Sequence, residues 1–337
     1  MELILAIIAG LGIGYIFERG DFCFHSTWRG FTRRPRQLDL FRAYLLALLI
    51  GIPLVQGLIA LGWIEPWIPP FVWQANLLGG FIFGIGMVIG ATCITGLFYK
   101  LGHGMVGVLV GLTAWALGDI LTYLGPLKPL RDALRSSPLT VAGESATVLN
   151  AFGPMGMILL LALGLVTIIY LIRSPLKSRG KLWSWLILGV ATGLFMSFAW
   201  LLARAGGSDY TYGTSGVPSG LVLAFLGERS GGSLWIPVAL IALIPGAFFA
   251  SRRAGTYWFR GETGRRYAEL AAGGLLIGIG AGIAGGCNLG HSLVGVPLLS
   301  LGSIATTVAM AFGVFFAAAV AKQLISFNAH SSAVAEG

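Results

Sequence analysis

A glycine-rich apolar segment occurs twice in this chain, 194 residues apart, and each copy ends on a cysteine. The first copy is LGGFIFGIGMVIGATCITG, residues 78–96, and the second is AGGLLIGIGAGIAGGCNLG, residues 272–290. The offset matches five glycines and one cysteine, in the pairs Gly79/Gly273, Gly80/Gly274, Gly84/Gly278, Gly86/Gly280, Gly96/Gly290 and Cys93/Cys287. The repeat predicts two related halves, each of which places one thiol at the same register.

Apolar runs dominate the rest of the chain. Of its 337 residues 56% are hydrophobic and only 10% are charged, with a mean hydropathy of +0.85. Several runs reach the roughly 20 residues that cross a bilayer as a helix, which predicts an all-α polytopic membrane protein. The first residues lack a basic region and a cleavage site, so we interpret them as a retained span. The net charge of +9 is assigned to cytoplasmic loops and not to a nucleic-acid surface.

Charged and Pro/Gly-rich breaks separate nine candidate transmembrane helices. They start near Glu2, Leu40, Ala75, His103, Pro154, Leu182, Leu234, Ala268 and Leu301. The most basic breaks, 29–42, 173–181 and 252–266, are expected in the cytoplasm, which makes the amino terminus periplasmic and the carboxyl terminus cytoplasmic. The basic stretch 128–135 falls on the outer side against this rule. With nine crossings, the two cysteine-bearing helices run antiparallel.

This topology predicts an inverted repeat of four spans, one linker span and four spans. We divide the single membrane domain into a first half at 1–125, a linker helix at 150–173, a second half at 182–324 and a cytoplasmic tail at 325–337. In transporters of this kind the binding site lies where the repeats meet, and broken helices point their ends at the substrate. Short apolar pieces at 21–30, 94–102, 211–227 and 288–302 are expected to be re-entrant helices.

The three cysteines, Cys23, Cys93 and Cys287, are far apart and form no CxxC motif. Their spacing indicates neither a disulfide framework nor a metal site, so we expect no cofactor and no metal. The equivalent positions of Cys93 and Cys287, each before a helix break, favour functional thiols over packing groups. His291 and His103 also follow breaks, where each could donate to an anion or serve as an ordinary interfacial histidine.

Acidic residues indicate which kind of solute is transported. Only Asp119 falls inside a predicted span, whereas the other carboxylates lie in breaks or at span ends. A buried carboxylate is costly in a membrane and usually marks a proton or cation pathway. The sequence therefore favours an anion or a neutral solute.

Three motifs carry a resemblance to a known family: GDFCF at 20–24, GATC at 90–93 and GGCNLGH at 285–291. They resemble the cysteine motifs of the YeeE/YedE family of bacterial inner-membrane proteins. The resemblance implies a permease that imports thiosulfate and is not an enzyme, with the three cysteines lining the path. A TusA-like sulfur carrier is the implied cytoplasmic partner, and some members are linked to selenium compounds. The same motifs complete the set of candidate path residues: Cys23, Thr92, Cys93, Gly286, Cys287, Asn288 and His291.

Thiosulfate is a dianion, so it needs donors inside the membrane that bind it only weakly. Conduction requires sites that a solute can leave, which argues against fixed cations at mid-membrane. A thiol in apolar surroundings stays protonated and donates a weak hydrogen bond. We expect three spaced thiols, helped by the amino termini of half-helices, to act in the order Cys287, Cys93, Cys23 from the outside.

Two other classes of protein fit the same cysteines. A membrane thiol sulfurtransferase or oxidoreductase would use one cysteine as a nucleophile, with His25 or His291 as the base. A Cu(I) carrier would also use thiols, but none of the seven methionines clusters beside a cysteine.

Overall fold

The computed structural model describes residues 1–176, 178–228 and 233–335, with side chains described up to residue 323. The first half contains α1 (Glu2–Gly20), α2 (Phe24–Arg29), α3 (Asp39–Ala60), α4 (Trp73–Ile89), α5 (Ile94–Gly102), α6 (Val108–Tyr123) and α7 (Lys128–Leu134). A small hairpin, β1 (Thr140–Val141) and β2 (Glu144–Ser145), precedes the long helix α8 (Val148–Ile172). The second half contains α9 (Trp185–Ala205), α10 (Val217–Phe225), α11 (Trp235–Ala254), α12 (Gly264–Ala284), the π-helix π1 (Leu289–Gly295) and α13 (Leu301–Ala335).

Membrane spans account for most of these helices. Among the described residues, eight helical segments are long and apolar enough to cross a bilayer, and α6 with α7, bent by 69°, makes a ninth if counted as one span. Two of the eight, 2–29 and 73–102, join a long helix to the short helix after it. The chain is an all-α polytopic membrane protein, as the sequence predicts. Helix α13 continues to Ala335, so the expected tail is helical that far, and residues 336–337 lie outside the described part.

Local capping sets several helix ends and shifts two predicted starts. The fourth long helix begins at Val108 and not near His103, because the chain first turns at Gly104 with φ +104°. The fifth begins at Val148, where Thr147 and Asn150 form a capping box, and it kinks at Gly153 directly before Pro154. The predicted start at Pro154 therefore marks the kink and not the helix end.

Helices α4 and α12 cross face to face through their repeated glycines. A Cβ at Gly79 would lie 2.7 Å from Gly280 O, and one at Gly86 would lie 2.9 Å from Gly273 O. Low residue numbers on one helix meet high numbers on the other, so the helices are antiparallel. Small residues let the two backbones approach this closely, which is how helices associate in lipid without a hydrophobic driving force. Gly79 and Gly86 are the repeat equivalents of Gly273 and Gly280, so the repeat exchanges the contact of Gly79 with Gly280 and the contact of Gly86 with Gly273. A pseudo-two-fold axis therefore passes through the crossing, perpendicular to the helices.

The remaining long helices pack as parallel pairs. In α1 and α11, Gly10 meets Ala239 and Gly14 meets Leu243, so residue numbers rise together along both helices. The same holds for α3 with α9, α6 with α12 and α4 with α13. With α4 and α12 antiparallel, these directions fit nine alternating crossings in which α6 is the fourth.

Contacts between elements follow the pseudo-two-fold. The pair α1 with α11 corresponds to α9 with α3, and α6 with α12 corresponds to α13 with α4. The short helices obey the same exchange, because α2 contacts α13 whereas α10 contacts α6. Helix α8 lies apart: only 11% of its most apolar 18-residue stretch is buried in the protein, and its main neighbour is α3. The residue limits of the two halves and the re-entrant path of the short helices stay predictions.

Candidate functional site

Two of the three cysteines form a contact pair inside the first half. Cys23 precedes α2 and Cys93 precedes α5, and their Sγ atoms lie 3.6 Å apart. Both side chains are buried, with 1% and 0% of their surface exposed, and both are free thiols. Residues 23 and 93 therefore face each other in the protein interior and not the lipid. We call Cys23 and Cys93 the inner thiol pair.

A helix amino terminus and a cation support the inner thiol pair. Gly96 N donates to Cys93 Sγ over 3.3 Å, so the thiol caps α5. Lys100 Nζ, one turn further along α5, donates to Thr92 Oγ1 over 3.2 Å. Thr92 directly precedes Cys93 in the chain, so this bond places a positive charge near the inner thiol pair, with no hydrogen bond to either thiol among the described residues. Thr92, a predicted path residue, thus positions Lys100 beside the pair.

Cys287 repeats the same local structure in the second half. Gly290 N donates to Cys287 Sγ over 3.5 Å, the counterpart of the bond between Gly96 and Cys93. The thiol is free and 0% exposed. Helix α12 ends just before it at Gly285, which adopts a left-handed conformation with φ +85°. Both repeats therefore place a buried thiol at the amino terminus of a short helical segment.

Two buried residues that follow Cys287 in the chain, Asn288 and His291, carry polar atoms without partners. Asn288 is 0% exposed, and neither its Oδ1 nor its Nδ2 has a hydrogen-bond partner among the described atoms. His291 bonds Ser303 Oγ through Nδ1 over 3.0 Å, while its Nε2 has no partner. A Cβ at Gly286 would lie 2.6 Å from that Nε2, so only glycine leaves room for the ring. Since buried polar groups are normally satisfied, the unpaired donors and acceptors here are candidates for hydrogen bonds to a polar ligand or to water.

Thr214 completes the polar surroundings of Cys287. Its side chain lies beside the Cys287 thiol, and its buried Oγ1 makes no hydrogen bond of good geometry. Thr214 lies two residues before the Gly216 cap of α10, the helix that corresponds to α2, which begins after Cys23. The threonine hydroxyl therefore lies beside Cys287 as the thiol of Cys23 lies beside Cys93, although Thr214 comes two residues earlier relative to the helix that follows. We call Cys287, Asn288, His291 and Thr214 the outer site.

Helix α7 explains why arginines lie on the predicted outer side. Arg135 Nη1 donates to Ala284 O over 2.9 Å and to Ile283 O over 3.2 Å, and Arg131 Nε donates to Gly282 O over 3.2 Å. These carbonyls end α12 and lack partners within the helix, so cations there are favourable. The basic stretch 128–135 caps the helix that carries Cys287.

The two thiol positions lie at opposite ends of the α4–α12 crossing. Asn76 Nδ2 donates to Ala284 O over 3.4 Å, whereas the end of α4 at Gly90 approaches Gly273. Gly79, which faces the end of α12, and Gly90 are separated by eleven steps along the helix, which correspond to about 16 Å. The structure has two stations, a thiol pair and a single thiol.

Buried carboxylates and histidines serve as structural partners. Asp119 accepts bonds from Gly216 N over 2.7 Å, Ser219 N over 3.1 Å and Ser219 Oγ, so it caps α10. Glu18, which the sequence placed at a span end, is 6% exposed, and its Oε1 lies within hydrogen-bonding distance of His103 Nδ1. The ring of His103 thus contacts Glu18, and a role as donor to an anion stays a prediction for both His103 and His291.

A family model described as sulphur transport matches residues 19–316. The chain belongs to the sulphur transport family. The resemblance to YeeE/YedE proteins is confirmed.

Curated relatives cover most of the chain. A protein named thiosulfate transporter TsuA from Spirochaeta thermophila is 29% identical over 311 residues, 88% of this chain and 92% of the relative. TsuA from Escherichia coli is 25% identical over 335 residues, 94% of this chain and 93% of the relative. A probable transporter, YedE from Salmonella typhimurium, is 30% identical over 178 residues, 51% of this chain and 40% of the relative.

Sequence reasoning missed Thr214, Lys100 and Arg135 at the site. The repeat could have indicated Thr214, because the TYGTSGVPSG segment occupies the second-half position that corresponds to the break around Cys23. Nothing in the sequence indicated that Arg135 would reach back to the end of α12, since that contact joins residues 149 positions apart.

Proposed function

We propose that this member of the sulphur transport family imports thiosulfate across the bacterial inner membrane. Two relatives that align along nearly their whole length are named thiosulfate transporters. The observation that carries the proposal is the repeated thiol station. In both halves a buried, free thiol accepts a backbone N–H at the start of a short helix.

The outer site receives the anion first. Thiosulfate has an oxygen-rich end, which prefers N–H and O–H donors, and a soft terminal sulfur, which suits a thiol. The outer site offers both kinds of group: Thr214 Oγ1 lies beside the thiol of Cys287, and Asn288 and His291, which follow Cys287 in the chain, carry the unpaired atoms Nδ2 and Nε2. Arg135, which covers the break before Cys287, supplies positive potential without closing directly on the anion.

The inner thiol pair receives the anion next, and Cys23 passes it to the cytoplasmic side. The S–H group of Cys23 donates to Cys93 Sγ over 3.6 Å. When the anion arrives, this weak hydrogen bond is replaced by a weak hydrogen bond from Cys23 to the anion. Asp21 and Ser26, on either side of Cys23, line a cavity of about 440 Å³. Arg33, Arg36, Arg42 and Arg179 also line this cavity. We assign it as the exit, with the order of thiols Cys287, Cys93, Cys23.

Weak binding at each station suits conduction. A thiol is a weaker donor than an ammonium or guanidinium group, so a dianion is stabilised enough to enter and is still free to leave. Helix amino termini add partial positive charge that belongs to the backbone and needs no counter-ion. Lys100 stays one residue removed from the inner pair through Thr92.

Energy must come from outside the path. An inside-negative membrane potential opposes the entry of a dianion into the cell by about 4 to 5 kcal/mol per 100 mV. A TusA-like sulfur carrier that consumes thiosulfate at the cytoplasmic exit would offset this cost by keeping the free anion scarce. Of the four arginines that line the exit cavity, only Arg42 is paired with an acid among the described residues. The positive charge of the other three suits an anionic product or partner.

The test is growth on thiosulfate as sole sulfur source in a bacterium without its own uptake systems, together with uptake of labelled thiosulfate into proteoliposomes. Cys93→Ala and Cys287→Ala are expected to abolish both while the protein still inserts. Selenosulfate added as a competitor distinguishes a selenium compound from thiosulfate as the preferred solute. Normal uptake by both alanine variants would reduce the thiols to packing groups and end the proposal.

The contact of 3.6 Å between Cys23 and Cys93 favours a second candidate, a membrane thiol sulfurtransferase or oxidoreductase. In this reaction the thiolate of one cysteine would attack the terminal sulfur of thiosulfate and release sulfite to leave a persulfide, and the neighbouring thiol would displace hydrosulfide from it to form the disulfide. His25, whose buried Nδ1 has no partner among the described residues, is the candidate base. Mass spectrometry of the protein during turnover separates the two functions. Covalent sulfur adducts on Cys23 or Cys93 support the enzyme, and unmodified thiols support the permease.

A further inference from the structure

A second cavity, of about 520 Å³, lies away from all three cysteines at one membrane surface. It is lined by Tyr15 and Arg19 of α1, by Gly180, Lys181 and Trp183 of the segment before α9, and by Arg253 and Ala254 of α11. Helices α1 and α11 run parallel, so both ends that form the cavity are at the same side of the bilayer. The cavity is therefore framed by the carboxyl-terminal ends of α1 and α11 and by the loop that precedes α9.

Three cations and, among the described residues, no carboxylate line this cavity. Within the described part of the chain, Arg19, Lys181 and Arg253 form no ion pair. Arg19 lies in the last turn of α1 and Arg253 in the last turn of α11, where a cation interacts favourably with the helix dipole. The dipoles therefore explain each of these two arginines taken by itself. That effect does not account for Lys181, which comes from a loop, or for all three cations sharing one cavity.

Fixed contacts hold the wall of the cavity in place. Trp183 N donates to Arg19 O over 2.8 Å, and Lys181 Nζ donates to Gly255 O over 3.1 Å, which ties the loop to both helix ends. The Trp183 ring lies 6.1 Å from the Tyr15 ring and 5.7 Å from the Arg19 guanidinium carbon. Tryptophan and tyrosine at this level are typical of the interface between lipid headgroups and tails.

Exposed apolar faces lead from the cavity along both helices. Ile4, Ile8, Tyr15 and Arg19 follow helical spacing on one face of α1, and Ile4 and Ile8 are 64% and 44% exposed. On α11, Phe249 lies one turn from Arg253 and is 60% exposed. A ligand in the cavity can thus extend apolar chains along the lipid-facing surface while its polar end stays with the cations.

We propose that the cavity formed by Arg19, Lys181, Trp183 and Arg253 binds the headgroup of an anionic phospholipid, with a preference for the two phosphates of cardiolipin. Basic pockets between membrane helices recognise such headgroups. Two phosphates balance most of the charge of the three cations, and the apolar faces of α1 and α11 hold the acyl chains. A bound lipid joins α1, α11 and the loop before α9 at the membrane surface.

Native mass spectrometry of the detergent-purified full chain tests this, with cardiolipin, phosphatidylglycerol and phosphatidylcholine added in turn. The triple variant Arg19→Gln, Lys181→Gln, Arg253→Gln is compared with the control Arg34→Gln, Arg173→Gln, Arg265→Gln. The control removes equal charge from other exposed basic positions. We expect the first variant to bind cardiolipin on the order of tenfold more weakly and the control to bind it as the wild type does.

Three results would overturn the proposal. Equal losses in both triple variants would mean that net charge and not the cavity attracts the lipid. Displacement of cardiolipin by millimolar inorganic phosphate would identify a site for a free anion. Equal retention of all three lipids by the wild type would remove the headgroup preference. Lys181→Arg, which keeps the charge, is expected to retain cardiolipin, and its failure to do so would also count against the headgroup contact.

Discussion

Replacing Gly96 by alanine tests whether the space between the inner thiols belongs to the substrate path. A Cβ at this position would lie 3.3 Å from Cys23 Sγ and 3.4 Å from Cys93 Sγ, and it would overlap Thr92 Oγ1. The methyl group therefore fills the space next to both thiols and pushes on the threonine that positions Lys100. The backbone N–H that donates to Cys93 is kept, so capping of α5 is unchanged.

The magnitude follows from two opposing terms. Overpacking by one methyl costs about 1 to 3 kcal/mol. In the first turn of α5, where Gly96 lies, the change from glycine to alanine returns at most about 1 kcal/mol of helix propensity, which offsets part of this cost, and the protein is expected to stay folded. If the anion must share the crowded space, an added cost of about 1 to 3 kcal/mol at the inner pair lowers uptake about 5- to 150-fold.

The repeat supplies a matched control. Gly290 is the equivalent of Gly96, but the nearest atom to a Cβ there is Tyr212 O at 3.2 Å, and no sulfur lies within the three nearest neighbours. Gly290→Ala is expected to lose much less uptake than Gly96→Ala at equal amounts of inserted protein, measured with labelled thiosulfate in proteoliposomes. Full uptake by Gly96→Ala, or equal losses in the two variants, would refute the reasoning.

Three further predictions concern the outer site and the packing. Thr214→Val is expected to reduce thiosulfate uptake several-fold, because it removes an unpaired hydroxyl beside Cys287. The control Thr122→Val removes a hydroxyl that donates to Gly118 O over 2.7 Å within its own helix, and it is expected to transport normally. Similar uptake by the two variants would contradict a role for the Thr214 hydroxyl. Asp119→Asn is expected to lower thermal stability by about 1 to 3 kcal/mol, because the amide cannot accept all three bonds at the start of α10; an unchanged melting temperature argues against capping. Gly280→Ala is expected to destabilise the α4–α12 crossing by a similar amount, since its Cβ would lie 2.6 Å from Phe83 N, and Gly264→Ala, with open space around it, is expected to be neutral; equal melting temperatures would contradict close backbone packing.

Periodicity and repetition made much of the fold predictable. Apolar runs of span length exist before any tertiary contact, so the all-α membrane class followed from composition. The duplicated segments at 78–96 and 272–290 predicted equivalent thiol positions, and the bonds from Gly96 N and Gly290 N have the same form in both halves. Charge asymmetry between loops predicted that α4 and α12 run in opposite directions.

Contacts between distant segments were not predictable in the same way. The pairing of Cys23 with Cys93 joins residues 70 positions apart and depends on how α2 and α5 pack. The same is true of Arg135 on the end of α12 and of Thr214 beside Cys287. A linear sequence has no signal for which side chains meet across packed helices.

The sequence by itself determined the membrane class, the repeat and the thiols at helix breaks, because hydropathy and glycine spacing are local properties of the chain. Only the tertiary structure decided that the thiols form a pair and a single site, which polar groups surround Cys287, and where three cations share a cavity. Those features depend on the pseudo-two-fold packing of helices, in which residues far apart in the chain are brought within hydrogen-bonding distance.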